Sequence, residues 1–196
     1  MNNTTLVIVD FQYDFCNPNG SLYVKGAEEA KQAIINKLNT DKSINHVIFT
    51  LDWHEYCDES FEINGGQWPI HCLQNSIGAG VDTDLIKACQ DNGINPEFIY
   101  KGDVPNVEEY GAFSSFERSL MGNGINLFNH NKENEVTVLN NIVIVCGIAG
   151  DYCVKETFMN LLKTPLSVGL DPTCIASIDG GETVKNLLDK YCTNNG

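Results

Sequence analysis

The chain reads as an α/β protein built on a doubly wound parallel sheet with helices on both faces. Three observations predict this. Short, apolar, β-branched runs recur along the chain, segments of helical spacing separate them, and several of the runs end in a polar residue. At 196 residues the chain fits a single domain, 1–196, large enough to bury a substantial core.

In order, "TLVIVDFQ" (5–12) is an apolar run with Asp10 near its end, as in a buried parallel strand with a polar tip. "GAEEAKQAIINKLN" (26–39) places Ala30, Ile34, Ile35 and Leu38 at helical spacing. "HVIFTLDWH" (46–54) is the second strand, and Asp82 is an N-cap for a helix over "DTDLIKACQ" (82–90). "EFIYKG" (97–102) is the third strand and carries Lys101 at its end. "NIVIVCG" (141–147) is the fourth, followed by a Gly-rich turn and a helix starting near Cys153. "PLSVGLDP" (165–172) reads as a fifth strand and "GETVKNLLDKYC" (181–192) as a closing helix. Residues 103–140, rich in Gly and Asn, read as an irregular functional stretch, or as one carrying short helices.

A formal net charge of −14 argues against nucleic acid or an anionic membrane as partner. No apolar run approaches the ~18 residues of a membrane span, and the N-terminus does not resemble a secretory signal. A cytoplasmic protein is the expectation. Eight cysteines are scattered without a Cys-x-x-Cys pair, so they read as reduced and mostly core residues, not as a zinc module or a disulfide framework.

Ligands of open parallel sheets sit beyond the carboxyl ends of the strands. Asp10, Asp52, Lys101 and the turn to Cys153 all fall on that edge. A thiol needs a proton acceptor and a nearby positive charge to become a good nucleophile. Asp10 and Lys101 can supply them, and the helix N-terminus adds its dipole. The alternative is an Asp–Lys pair capping strand ends beside a buried cysteine. A second group lies in "DWHEYCDESFEINGGQWPIHC" (52–72): Asp52 and His54 alternate at a strand end, and His71 returns after a Gly-Gly turn. Two imidazoles and a carboxylate suit zinc, iron or manganese, with Asp58 and Glu62 as candidate further ligands.

"VIVDFQYDF", "TLDWH", "GGQWPIHC", "YKG" and "CGIAGDYCV" stand in the order found in nicotinamidases (pyrazinamidases) of the isochorismatase-like cysteine hydrolase family, which the chain resembles over nearly its whole length. The resemblance implies hydrolysis of nicotinamide to nicotinate and ammonia through a cysteine thioester. It implies a catalytic Asp10, Lys101 and Cys153, and metal ligands Asp52, His54 and His71. It also implies an oxyanion hole from the N–H groups of Ala149 and Cys153, and a cis peptide between Ile148 and Ala149. Phe15 and Trp68 are candidates to stack on the substrate ring. The implied cofactor is one divalent metal, zinc first, with manganese or iron(II) as alternatives. The implied partner is a small amide, nicotinamide or a pyrazinamide-like analogue, and a homo-oligomer is left open.

The chain departs from the family pattern at Asp58, where a histidine often stands, so Asp58, Glu62 or water completes the metal's shell. Gly150 replaces a larger residue and is expected to loosen the turn before Cys153. Two other readings stand beside this one. One is a related cysteine amidase acting on another small amide. The other is a non-catalytic metal-binding or thiol redox protein, for which neither Asp10 nor Lys101 would be needed.

Overall fold

The computed structural model describes residues 3–105, 107–114, 116–121, 124–129 and 136–192, with the backbone alone between 116 and 137. Five strands form the central sheet: β1 (Thr4–Val9), β2 (Ile44–Asp52), β3 (Glu97–Lys101), β7 (Ile142–Ile148) and β8 (Ser167–Ala176). Their order is β3-β2-β1-β7-β8, and each neighbouring pair is parallel. From β1 the chain winds one way through β2 and β3, then returns to add β7 and β8 on the other side. The reversal point is therefore the crevice between the ends of β1 and β7, where such sheets hold their ligands.

Alternation along β1 explains why both faces are covered. Leu6 and Ile8 point into a core with Ala30, Ile34 and Leu38 of α2 (Ala27–Thr40) and Leu85 and Cys89 of α3 (Thr83–Asp91). Val7 and Val9 point the other way, against Val154, Phe158 and Leu161 of α4 (Cys153–Leu162), with Leu187 of α5 (Glu182–Tyr191) packed at the margin. Burying a side chain such as Ile34 or Leu38 contributes about 1.5–3 kcal/mol. Asp82 caps α3 as its sequence position predicts, its side chain accepting from the N–H groups of Asp84 and Leu85. A four-residue helix, α1 (Tyr13–Cys16), follows β1 and has no signal in the periodicity.

The stretch 103–140 differs from its sequence reading. It contains a second, antiparallel sheet of β4 (Phe116–Met121), β5 (Gly124–Asn129) and β6 (Val136–Asn140), in that order. Abundant Gly and Asn obscure the strands in the composition, yet the Gly-Asn dipeptide at 122–123 is a hairpin signal. All eight cysteines are free thiols. Among the described residues, no helix is long and apolar enough to cross a membrane.

Candidate active site and metal centre

Four strand ends deliver the polar groups. Asp10 follows β1 directly, Asp52 closes β2, Lys101 closes β3, and a turn after β7 leads to Cys153, the first residue of α4. Asp52 and Lys101 are register partners, so their side chains leave the sheet on the same face. All four are buried, Lys101 at 1% exposure and Asp10 at 0%.

Burial of charge requires compensation, and Lys101 supplies it. Its ammonium lies 2.7 Å from Asp10 Oδ2, contacts Asp52 Oδ1 more closely still, and sits 3.6 Å from the Cys153 sulfur. Two carboxylates around one cation leave one negative charge in excess. Burial pushes the Asp10 pKa up, the Asp52 charge pushes the same way, and Lys101 offsets them only partly. Asp52 goes the other way: burial opposes its charge, but Lys101 and the two imidazoles hold its carboxyl well below the usual range. Thr50, unmarked in the sequence, donates its hydroxyl to Asp10 Oδ1 at 2.7 Å. Asp10 itself adopts φ +47°, a left-handed conformation costly for a non-glycine residue. Its N–H bonds to the Thr50 carbonyl at 3.0 Å.

The thiol does not rest as the thiolate its helix position suggests. Burial pushes the Cys153 pKa well up, and Asp10 and Asp52 reinforce that against the attraction of Lys101. The thiol and the Asp10 carboxyl both lie against the Lys101 ammonium, so a sulfur and a proton acceptor meet at one cation. The turn before it is tight. Tyr152 and Val154 both donate to the Ala149 carbonyl at 3.1 Å, and Ile148–Ala149 is cis. Gly150 does not loosen this turn, because a Cβ there would stand 2.1 Å from Ser177 Oγ and 2.7 Å from a Val184 methyl. Glycine is what lets the turn pack against β8 and α5.

Asp52, His54 and His71 present ligand atoms within 4.8 Å of one another. Two loop segments bring the histidines together: His54 donates its N–H to the Cys72 carbonyl at 3.1 Å, and Gln74 returns one to His54 at 2.9 Å. Both imidazoles are fixed from behind. His71 Nδ1 bonds to the Pro69 carbonyl at 2.7 Å, which can only accept, so Nδ1 carries the proton. His54 Nδ1 likewise meets Asp58 Oδ2 at 2.8 Å. Both Nε2 atoms then face Asp52 Oδ2, at 3.4 and 3.7 Å. Phe61 backs the pair, its ring 5.4 Å from each imidazole. An N,N,O set with its lone pairs aimed inward fits a divalent metal.

Asp58 is thus not placed as a member of this trio. It holds the remote nitrogen of His54 and is itself held by the Ser60 N–H at 2.8 Å. Glu62 is exposed on a separate short turn and does not join the site. Gln12 and Asp14 also bear on the site without any signal in the sequence pattern. Gln12 exchanges hydrogen bonds of 2.8 Å with the Asp52 backbone in both directions, and Asp14 accepts the Cys72 N–H at 2.8 Å. One pocket gathers Cys153, Ala149, the three prospective ligands, Asp58, Phe15 and Trp68, together with Tyr110 and Tyr152, which sequence reasoning missed.

The fold and the site define a class: α/β proteins in which a cysteine, set against a carboxyl and an ammonium, faces a pocket beyond a doubly wound sheet. No protein-family profile matches the chain. The nicotinamidase/pyrazinamidase of Mycobacterium tuberculosis is 31% identical over 191 residues, spanning 93% of this chain and 91% of its own. The nicotinamidase of Saccharomyces cerevisiae is 27% identical, spanning 97% and 96% respectively. PnC1 from L. infantum, solved in complex with nicotinate, superposes with a TM-score of 0.72 at 29% identity, covering 96% of this chain and 89% of its own. The chain belongs to the nicotinamidase family of isochorismatase-like cysteine hydrolases.

Proposed function

We infer that this protein hydrolyses nicotinamide, and pyrazinamide-like analogues, to the acid and ammonia, and that Asp10, Lys101 and Cys153 carry the reaction. The observation that supports the residue assignment is the buried cluster of thiol, carboxyl and ammonium, whose thiol lines the same pocket as the two imidazoles. Asp10 accepts the thiol proton as the sulfur attacks the carboxamide carbon, and the C–S bond forms while the carbonyl becomes an oxyanion. Backbone N–H groups of Ala149 and Cys153 are the donors to that oxyanion. Lys101 stabilises negative charge on the sulfur and on Asp10 in turn. Asp10 then gives its proton to the departing nitrogen, the C–N bond breaks and ammonia leaves. Water attacks the thioester as Asp10 takes its proton, the C–S bond breaks, and the sulfur recovers the proton.

Asp52, His54 and His71 would hold one divalent metal, zinc first given two nitrogens and one oxygen, which when bound anchors and withdraws electrons from the pyridine ring nitrogen. Asp58 orients His54 for that task, and Phe15 and Trp68 flank the ring. The eight free thiols suit a reducing compartment such as the cytosol, and residues 1–196 act as one domain. The deciding experiment measures ammonia release from nicotinamide with the protein as purified, after chelation, and after zinc is restored. Release that falls on chelation and returns with zinc is the expected result. No release from nicotinamide in the zinc-loaded protein would overturn the reading.

A further inference from the structure

A strap of residues 107–112 lines one side of the pocket through Val107, Glu108, Glu109 and Tyr110, and it is fastened at Glu109 and at Ala112. Glu109 Oε2 accepts the N–H of Gly102, next to Lys101, at 3.3 Å. On the other side, α4, the helix that begins with Cys153, holds it through two polar side chains. The Ala112 N–H donates to Thr157 Oγ1 at 3.1 Å, and Asn160 Nδ2 donates to the Ala112 carbonyl at 2.9 Å. Contact there is close enough that a Cβ on Gly111 would lie 2.8 Å from Asn160 Nδ2 and from the Glu156 backbone. The strap therefore delivers Tyr110 to a defined place in the pocket wall.

There the Tyr110 hydroxyl meets the Trp68 indole. Trp68 Nε1 donates to Tyr110 Oη at 3.1 Å, and the Tyr110 hydroxyl in turn donates a hydrogen bond to Glu108 Oε1. Tyr152 supports both rings, edge-on to Trp68 at 5.3 Å and tilted against Tyr110 at 5.6 Å. Trp68 is only half-buried, so packing alone leaves the indole freedom to turn, whereas a single acceptor on its N–H fixes the ring plane. Burial and the neighbouring Glu108 push the tyrosine pKa up to about 12, so the hydroxyl keeps its proton throughout the working range.

We propose that Tyr110 is a positioning residue for substrate binding: its hydroxyl locks the Trp68 indole as a fixed wall for the flat heteroaromatic ring. The proposal rests on the nicotinamide reading for the identity of that ring, but not for the lock itself. Four zinc-loaded proteins test it: wild type, Tyr110→Phe, Trp68→Phe and the double variant. Tyr110→Phe should raise the KM for nicotinamide and the Kd for nicotinate about fivefold, the factor corresponding to the net worth of one hydrogen bond. The change in kcat should stay below about twofold, and zinc content should be that of wild type. In the Trp68→Phe background the same hydroxyl deletion should add nothing, since a phenyl ring has no N–H to hold.

Acrylamide quenching of tryptophan fluorescence, read without ligand, should increase in Tyr110→Phe relative to wild type. An unchanged KM in Tyr110→Phe, or an equal penalty in the Trp68→Phe background, overturns the proposal. If wild type does not act on nicotinamide at all, the functional reading fails on its own. The quenching comparison then still decides whether Tyr110 holds Trp68: increased quenching supports the lock, and equal quenching refutes it.

Discussion

Replacing Lys101 by Met tests how the buried charges are held. The ammonium is 1% exposed and touches two carboxylates and the thiol, while methionine matches its length without its charge. Removing one partner from a buried ionic cluster costs about 3–5 kcal/mol. For a chain of this size each kcal/mol moves Tm by about 2–4 °C, so a fall of about 6–20 °C is expected near neutral pH. The pH dependence has a definite sign. Asp10 already has a raised pKa, from burial first and Asp52 second, and Lys101 restrains it. Without Lys101 it rises further, and a group raised on folding lends stability below its unfolded value that is lost as pH climbs through its folded one. Asp52 is held low, against its burial, chiefly by Lys101. That stabilisation, present above the unfolded pKa and lost on acidification, disappears with the lysine. The Asp10 effect makes the penalty larger at pH 8 than at about pH 5, while the Asp52 loss is felt in full at both and fades only below the unfolded carboxylate pKa. Scanning calorimetry of the chelated proteins across that range gives the measurement. The Asp10→Asn/Lys101→Met double variant should recover part of the loss by removing one uncompensated charge. A Tm within about 2 °C of wild type at pH 8, or a penalty that grows on acidification, would refute the reasoning.

Cys153→Ala should abolish ammonia release while zinc content and nicotinate affinity stay near wild type; residual turnover above a few per cent would point to another nucleophile. Asp58→Ala should weaken zinc affinity about 10- to 100-fold in a chelator competition, the usual cost of losing a carboxylate behind a ligating histidine. His71→Ala should do more damage and Glu62→Ala none, and equal affinity in Asp58→Ala and wild type would remove Asp58 from this role. Gly150→Ala should destabilise the protein by about 1–3 kcal/mol, the cost of overpacking, and should lower kcat by displacing the turn before Cys153. Denaturant unfolding beside steady-state kinetics reads both effects.

Much was legible in the chain because strand and helix periodicities are local. The runs ending in Asp10, Asp52 and Lys101 and the strand-turn-helix at Cys153 follow from β-branched stretches and their polar tips, and in a parallel sheet such tips share one edge. Asp-x-His with a returning His71 already implied nitrogen and oxygen ligands facing one way. Other features depended on contacts between residues far apart in sequence. Thr50 beside Asp10, Gln12 against the Asp52 backbone and Tyr110 on the Trp68 indole each join different loops or strands. No periodicity within one segment announces them. The three antiparallel strands between 116 and 140 lay hidden beneath a Gly- and Asn-rich composition that reads as loop. Asp58 marks the boundary most clearly. Its chemical type admitted direct metal ligation, and only the folded loop decided that its carboxylate meets Nδ1 of His54, the side of the ring turned away from Asp52 and His71. Protonation was decided in the same way. A helix N-terminus and a lysine suggested a thiolate, but burial beside two carboxylates raises the thiol pKa, because desolvation is set by everything packed around a group and not by its neighbours in the chain.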